Sequence, residues 1–195
     1  MNRIVSIFLM VSLLLLQQAC NNKKQTATQT TDSTTVANSN PPDDHAAEPI
    51  TGRLANLGLT HDSHWRGINL GDEFTVVEAN EKGEAFERDA KHVGYTVEFP
   101  TLETADVLYY QTSSKVSAIE VDLFLNSGQS VKAYRQELEP YFTTRHGTPK
   151  STTGGLVWTG STGEQITLQD VSKGKDFGLK IRIAPTDRAT TVSAK

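Results

Sequence analysis

The tetrapeptide His61-Asp62-Ser63-His64 holds the densest potential chemistry in the chain, two imidazoles three residues apart with a carboxylate between them. Such donors suit zinc or copper, and a third ligand would have to come from His92 or His146. No His-Glu-x-x-His or cysteine-bearing signature accompanies them, so the simpler reading is a polar loop ahead of Trp65. Asp43-Asp44-His45 sits in a stretch almost without large apolar side chains and reads as solvated. A serine nucleophile would need an elbow such as Gly-x-Ser-x-Gly; Gly160-Ser161-Thr162-Gly163 has the wrong spacing and reads as a turn. Glycoside chemistry needs two acids in a cleft. Glu120 and Asp122 do share a strand face, but they alternate with apolar residues and read as a wet sheet surface. Gly83, Gly154-Gly155 and Gly174 are separate turn glycines rather than a phosphate loop. The expectation is a chain that is not an enzyme, with no cofactor, no metal and no evident small-molecule substrate.

The aromatic residues point elsewhere. Trp65, Tyr95, Tyr109, Tyr110, Tyr134, Tyr141 and Trp158 are too many to lie all in the core. On one strand Tyr109 and Tyr110 must face opposite sides, so one of them lies away from the helices. Tyrosine is a common anchor of protein interfaces, although a ring capping the core edge with a wet hydroxyl looks the same in sequence. The set expected to meet a protein partner is Tyr110, Glu120, Asp122 and Arg182.

Cys20 is the chain's single cysteine, which excludes an intramolecular disulfide. It follows Arg3, an apolar run from Ile4 to Leu16 broken by Ser6 and Ser12, and Gln17-Gln18-Ala19. A basic start, a short apolar stretch and a small residue at the cut make a secretory signal, and the run is short of the roughly 20 residues that span a bilayer. The arrangement resembles a bacterial lipoprotein signal, although Gln17 stands where leucine is usual. The resemblance implies cleavage before Cys20 and acylation of its thiol, and diacyl plus amide-linked chains would anchor the protein essentially permanently. Asn21-Asn22-Lys23-Lys24 places no aspartate beside the cysteine, which by resemblance to sorting rules implies the outer membrane, facing the periplasm. Without residues 1–19 the chain has 18 basic and 23 acidic side chains, net −5. Nothing in that balance calls for nucleic acid.

Four segments follow: the signal over 1–19, a lipidated and disordered tether over 20–49, one α+β domain over 50–184 and a fraying tail over 185–195. The tether is Thr, Ser, Asn, Gln and Lys, too polar to offset its ordering entropy by burial. In the domain, Asp72 to Ala79 reads as a short helix capped by Asp72, with Phe74 and Val77 on one face. Strands follow over Gly94 to Phe99, Val107 to Gln111 and Lys115 to Leu125. In the last, Ile119, Val121, Leu123 and Leu125 alternate with Ala118, Glu120 and Asp122. A second helix begins near Ser130 and carries Val131, Tyr134, Leu138 and Tyr141 or Phe142 at helical spacing. Pro140 predicts a kink or break in it, and Gly147 with Pro149 its end. Three more strands run over Leu156 to Thr159, Glu164 to Asp170 and Phe177 to Ala184. The domain therefore reads as two units, about 67–125 and 126–184, each a helix with a three-stranded meander. Together they would form one antiparallel sheet with helices on one face.

The entry Gly67-Ile68-Asn69-Leu70-Gly71-Asp72 into a short helix and then a meander resembles the fold of the β-lactamase-inhibitor protein. A small lipoprotein of the outer-membrane assembly machinery has one unit of similar type. The resemblance covers about residues 60–184 and implies a protein-binding module of the cell envelope that engages its partner on the sheet face, as an assembly factor or an inhibitor. Two other classes stay open: a metal-binding envelope lipoprotein using His61 and His64, and a lipoprotein with a purely structural role.

Overall fold

The computed structural model describes residues 49–186. The expected signal over 1–19, Cys20, the expected tether as far as residue 48 and the residues after 186 lie outside the described residues. Among the described residues three helices are present, α1 (Gly52–Asn56), α2 (Thr75–Asn80) and α3 (Gly128–His146). The eight strands are β1 (Ala85–Arg88), β2 (His92–Glu98), β3 (Thr104–Thr112), β4 (Lys115–Leu125), β5 (Lys150–Thr152), β6 (Gly155–Thr159), β7 (Glu164–Asp170) and β8 (Phe177–Pro185). All join one antiparallel sheet in the order β1-β2-β3-β4-β8-β7-β6-β5, an α+β fold.

Alternation builds the middle of that sheet. On β4, Ile119, Val121, Leu123 and Leu125 are buried, and on β8 so are Leu179, Ile181 and Ile183. The register sets Ile119 opposite Ile183, Val121 opposite Ile181 and Leu123 opposite Leu179, so the apolar face is continuous across the seam. Helix α3 closes over it with Val131, Tyr134, Leu138, Tyr141 and Phe142, all buried. Its first turn is capped by Ser127, whose hydroxyl accepts the Ser130 N–H at 3.1 Å, three residues before the expected cap. Pro140 neither breaks nor ends the helix, which continues to His146. Proline removes one N–H from the ladder, but Gln136, whose carbonyl loses its partner, is exposed and open to water. Gly147 ends the helix with φ of +80°.

Several expected elements shift for identifiable reasons. The first predicted helix starts at Thr75, and Asp72 does not cap it. Here the backbone is engaged by β4 instead: Gly71 N–H donates to Val116 O, Val116 N–H to Asp72 O, and Phe74 N–H to Ser114 O. The Asp72 carboxylate accepts the Asn69 N–H at 2.7 Å. Two edge strands, β1 and β5, give each half of the sheet four strands rather than three. Strand β8 extends through Pro185 into the expected tail. Of the seven aromatics named from sequence, only Tyr110 is not buried.

A charged group is also buried in this frame. Glu81, 7% exposed, accepts Arg66 Nε and Nη2 at 2.9 and 3.0 Å and the Tyr109 hydroxyl at 2.5 Å. This bidentate pair joins the segment before α2 to the centre of β3. Burial, then the Glu81 charge, push the Tyr109 phenol well above its ordinary value. Glu103, 4% exposed, similarly accepts the Thr101 hydroxyl, the Asn126 N–H and the Ser130 hydroxyl.

Candidate functional site

The face of the sheet opposite the core is laid out by the register of its strands. Tyr110 lies between His92 and Ala118 in one cross-strand row. Gly94, Leu108, Glu120, Arg182 and Thr167 form the next, and Thr96, Asp106, Asp122, Lys180 and Gln169 the third. Glu98, Thr104, Phe124 and Gly178 form the fourth. Tyr110, Glu120, Asp122 and Arg182 thus share this face, as their alternation predicts, while Tyr109 turns into the core.

The four do not act as one cluster. Tyr110, Glu120 and Arg182 line a shallow groove of about 470 Å³, floored by the small side chains of Ala118 and Ala184. Asp122 is one row away and accepts from Lys180 Nζ at 3.2 Å. Lys180 also stands 3.6 Å from Glu120 Oε2, and Arg182 Nη1 donates to Glu120 Oε1. Burial works against the Lys180 ammonium, yet Asp122 and then Glu120 carry its pKa above the ordinary lysine value. Burial, then the Glu120 charge, raise the Tyr110 phenol. The His92 ring packs tilted against Tyr110, with centroids 5.3 Å apart, and stands 3.1 Å from both Asp89 and Glu87, making no hydrogen bond through Nε2. Such a surface offers an aromatic wall and paired, exchangeable charges, features that suit recognition of another surface.

Sequence reasoning did not find the exposed apolar groups among the described residues. Phe124 is 53% exposed, and Phe86 lies over Gly94, where an added Cβ would come within 2.6 Å of the ring. Leu102, 90% exposed with φ of +59°, is held on the β2–β3 turn that Glu103 braces. An aliphatic residue between Thr101 and Glu103, just after Pro100, was the available signal for Leu102.

The histidines do not come together as a metal reading would need. His61 lines a groove of about 590 Å³ beside α1 and α3, and His64 a separate cleft of about 220 Å³. His92 lies against Tyr110. His146 does approach His64, through Glu164: Glu164 Oε1 stands 3.5 Å from His146 Nδ1 and 4.0 Å from His64 Nε2. His64 Nδ1, however, accepts the Leu70 N–H at 3.2 Å, so a neutral ring carries its proton on Nε2. A ligating imidazole offers a lone pair to the metal and a hydrogen from its other nitrogen, and His64 has neither arrangement. Among the described residues no group of three or more His, Cys, Asp or Glu is placed to hold an ion. Burial depresses both imidazoles below the ordinary histidine value against the pull of Glu164. Burial alone would raise the Glu164 carboxyl, but the Thr162 hydrogen bond holds it below the ordinary value.

Compared with protein-family models, with curated proteins and with solved structures, the chain matches none. Among the described residues no helix is long and apolar enough to cross a membrane.

Proposed function

We propose that this chain is an outer-membrane lipoprotein, anchored through Cys20 and facing the periplasm, whose domain is a non-catalytic protein-binding module of the envelope. In this reading the domain is two helix-and-meander units, 67–125 and 126–184, in the manner of the β-lactamase-inhibitor fold. The central pairing of β4 with β8, with β1 and β5 at the two edges, supports that division. The partner, an envelope assembly component or an enzyme under restraint, docks on the outer sheet face.

The observation that carries the reading is the convergence of Tyr110, Glu120 and Arg182 on one groove of the outer face. Tyr110 offers area at little entropic cost, and Arg182 can exchange Glu120 for a partner carboxylate. Replacing both, Tyr110→Ala with Arg182→Ala, removes no core contact and one exposed ion pair worth about 0–1 kcal/mol. Capture of partner from crosslinked envelopes is expected to fall at least tenfold with Tm unchanged within a degree or two. Undiminished capture by the double variant removes the outer-face reading. A Cys20→Ser version run beside it separates an anchored assembly role, which loses its partner, from inhibition of a soluble enzyme, which keeps it.

A further inference from the structure

Outside the sheet face, the molecule places an imidazole where its two protonation states have incompatible hydrogen bonds. We propose that His64 is an acid-sensitive latch: its neutral ring holds the end of the loop 57–71 by accepting the Leu70 N–H, and protonation releases that segment.

The geometry determines the direction. A backbone N–H can only donate, so the nitrogen it faces at 3.2 Å must present a lone pair. Protonated histidine has N–H on both ring nitrogens and no lone pair, so the Leu70 bond and an imidazolium at this position exclude one another. The imidazolium's charge is stabilised by Glu164, whose Oε1 lies 4.0 Å from Nε2 in the same cleft, and by a hydrogen bond with the Asn69 side chain. Around the ring, Glu164 on β7 and Asp72 after the loop favour protonation, while Arg145 on α3 opposes it. His146 on α3 competes for Glu164 and opposes it when charged.

The opening is local. Arg145 holds the near part of the loop through Thr60 O at 2.8 Å and Ser63 O at 2.7 Å, and Tyr141 donates to Thr60 O. Trp65 and Ile68 are fully buried. Leu70 is only half-buried, and its N–H has the His64 ring as its partner. What loosens is therefore the Leu70 amide, next to the cleft that Glu164 lines, while Asn69, whose N–H is held by the Asp72 carboxylate at 2.7 Å, and the frame around it stay folded.

The test is NMR on the full chain, detergent-solubilised and ¹⁵N-labelled, titrated between pH 7.5 and 5. At the upper limit His64 should be the Nε2–H tautomer. On acidification the Leu70 amide protection factor should fall at least tenfold, with the midpoint of the His64 ring. The Gly71 amide, bonded to Val116 O, should not change. His64→Asn places a non-titrating oxygen near the position of Nδ1 and should keep Leu70 protected throughout. His146→Gln should leave the transition in place. An Nδ1–H tautomer at pH 7.5, Leu70 protection that ignores pH in the wild type, or the same loss in His64→Asn would each overturn the proposal. The wild-type titration decides the matter even if the asparagine variant does not fold.

Discussion

Glu81 shows how one side chain can join two parts of a chain that are distant in sequence. It meets Arg66 fifteen positions before it and Tyr109 twenty-eight after it, both at hydrogen-bond distance. Removing one member of a buried pair leaves the other charge desolvated and alone, at a cost of about 3–5 kcal/mol. Glu81→Ala is therefore expected to lower stability by that amount in urea denaturation, and Tyr109→Phe by about 1.5–3 kcal/mol, the scale of a hydrogen bond to a charged group. The double variant should fall well short of the sum, since Tyr109 loses its acceptor with Glu81. Additive losses would mean that the three groups are not one network. None of this is legible in sequence. Asn80-Glu81-Lys82 looks like a solvated turn, and burial of its carboxylate depends on a partner that only the folded sheet brings near. The outer-face residues were legible for the opposite reason. Alternation on a single strand orients Glu120, Asp122 and Arg182 without any long-range information.

Among the elements, those with a strong internal period were readable, and those defined by a neighbour were not. Strands β4 and β7 match their predicted limits at both ends, because four apolar residues on β4 and Ile166 and Leu168 on β7 alternate cleanly. Lys150-Ser151-Thr152 is exposed at all three positions, and only its pairing with β6 makes it a strand. Helix α1 spans five residues and buries none of them. The late start of α2 likewise follows from pairing with β4, a contact that its own capping pattern cannot express. Helix α3 follows its predicted apolar stripe, and Pro140, whose expected effect is a kink or a break, sits on the exposed side and does not end the helix. Pro140→Ala restores an N–H to Gln136 O and relieves an interior proline whose cost is up to about 3 kcal/mol relative to alanine. The expected result is a higher Tm with greater ellipticity at 222 nm. A variant with lower Tm would mean that proline's restriction of the unfolded chain outweighs the helical cost.

For the whole molecule, acid should act in two stages. His64 and His146 titrate below the ordinary 6.5 in the folded state, so below about pH 6.5 the unfolded chain binds more protons. Stability then declines as pH falls from there to the folded values, and these two groups add nothing further below them. Glu164 and Asp170 lie below the ordinary carboxyl values of 4.5 and 3.8, so their contribution is complete above those values and lost as pH falls through the folded ones. Denaturant midpoints at pH 8, 6, 5 and 3 should trace both declines, and a midpoint constant from pH 8 to 5 would discount the histidine stage. The sheet order bears on how such a chain is made. Strands β1 to β4 and β5 to β8 each pair with their sequence neighbours, but the two runs meet only between β4 and β8. Of the eight described strands, the last in chain order is thus the one that completes the middle of the sheet, and until it emerges both apolar faces along the seam lack half their cover. A domain delivered from its N-terminal side would therefore be unable to close its fold until residues 177–185 arrive.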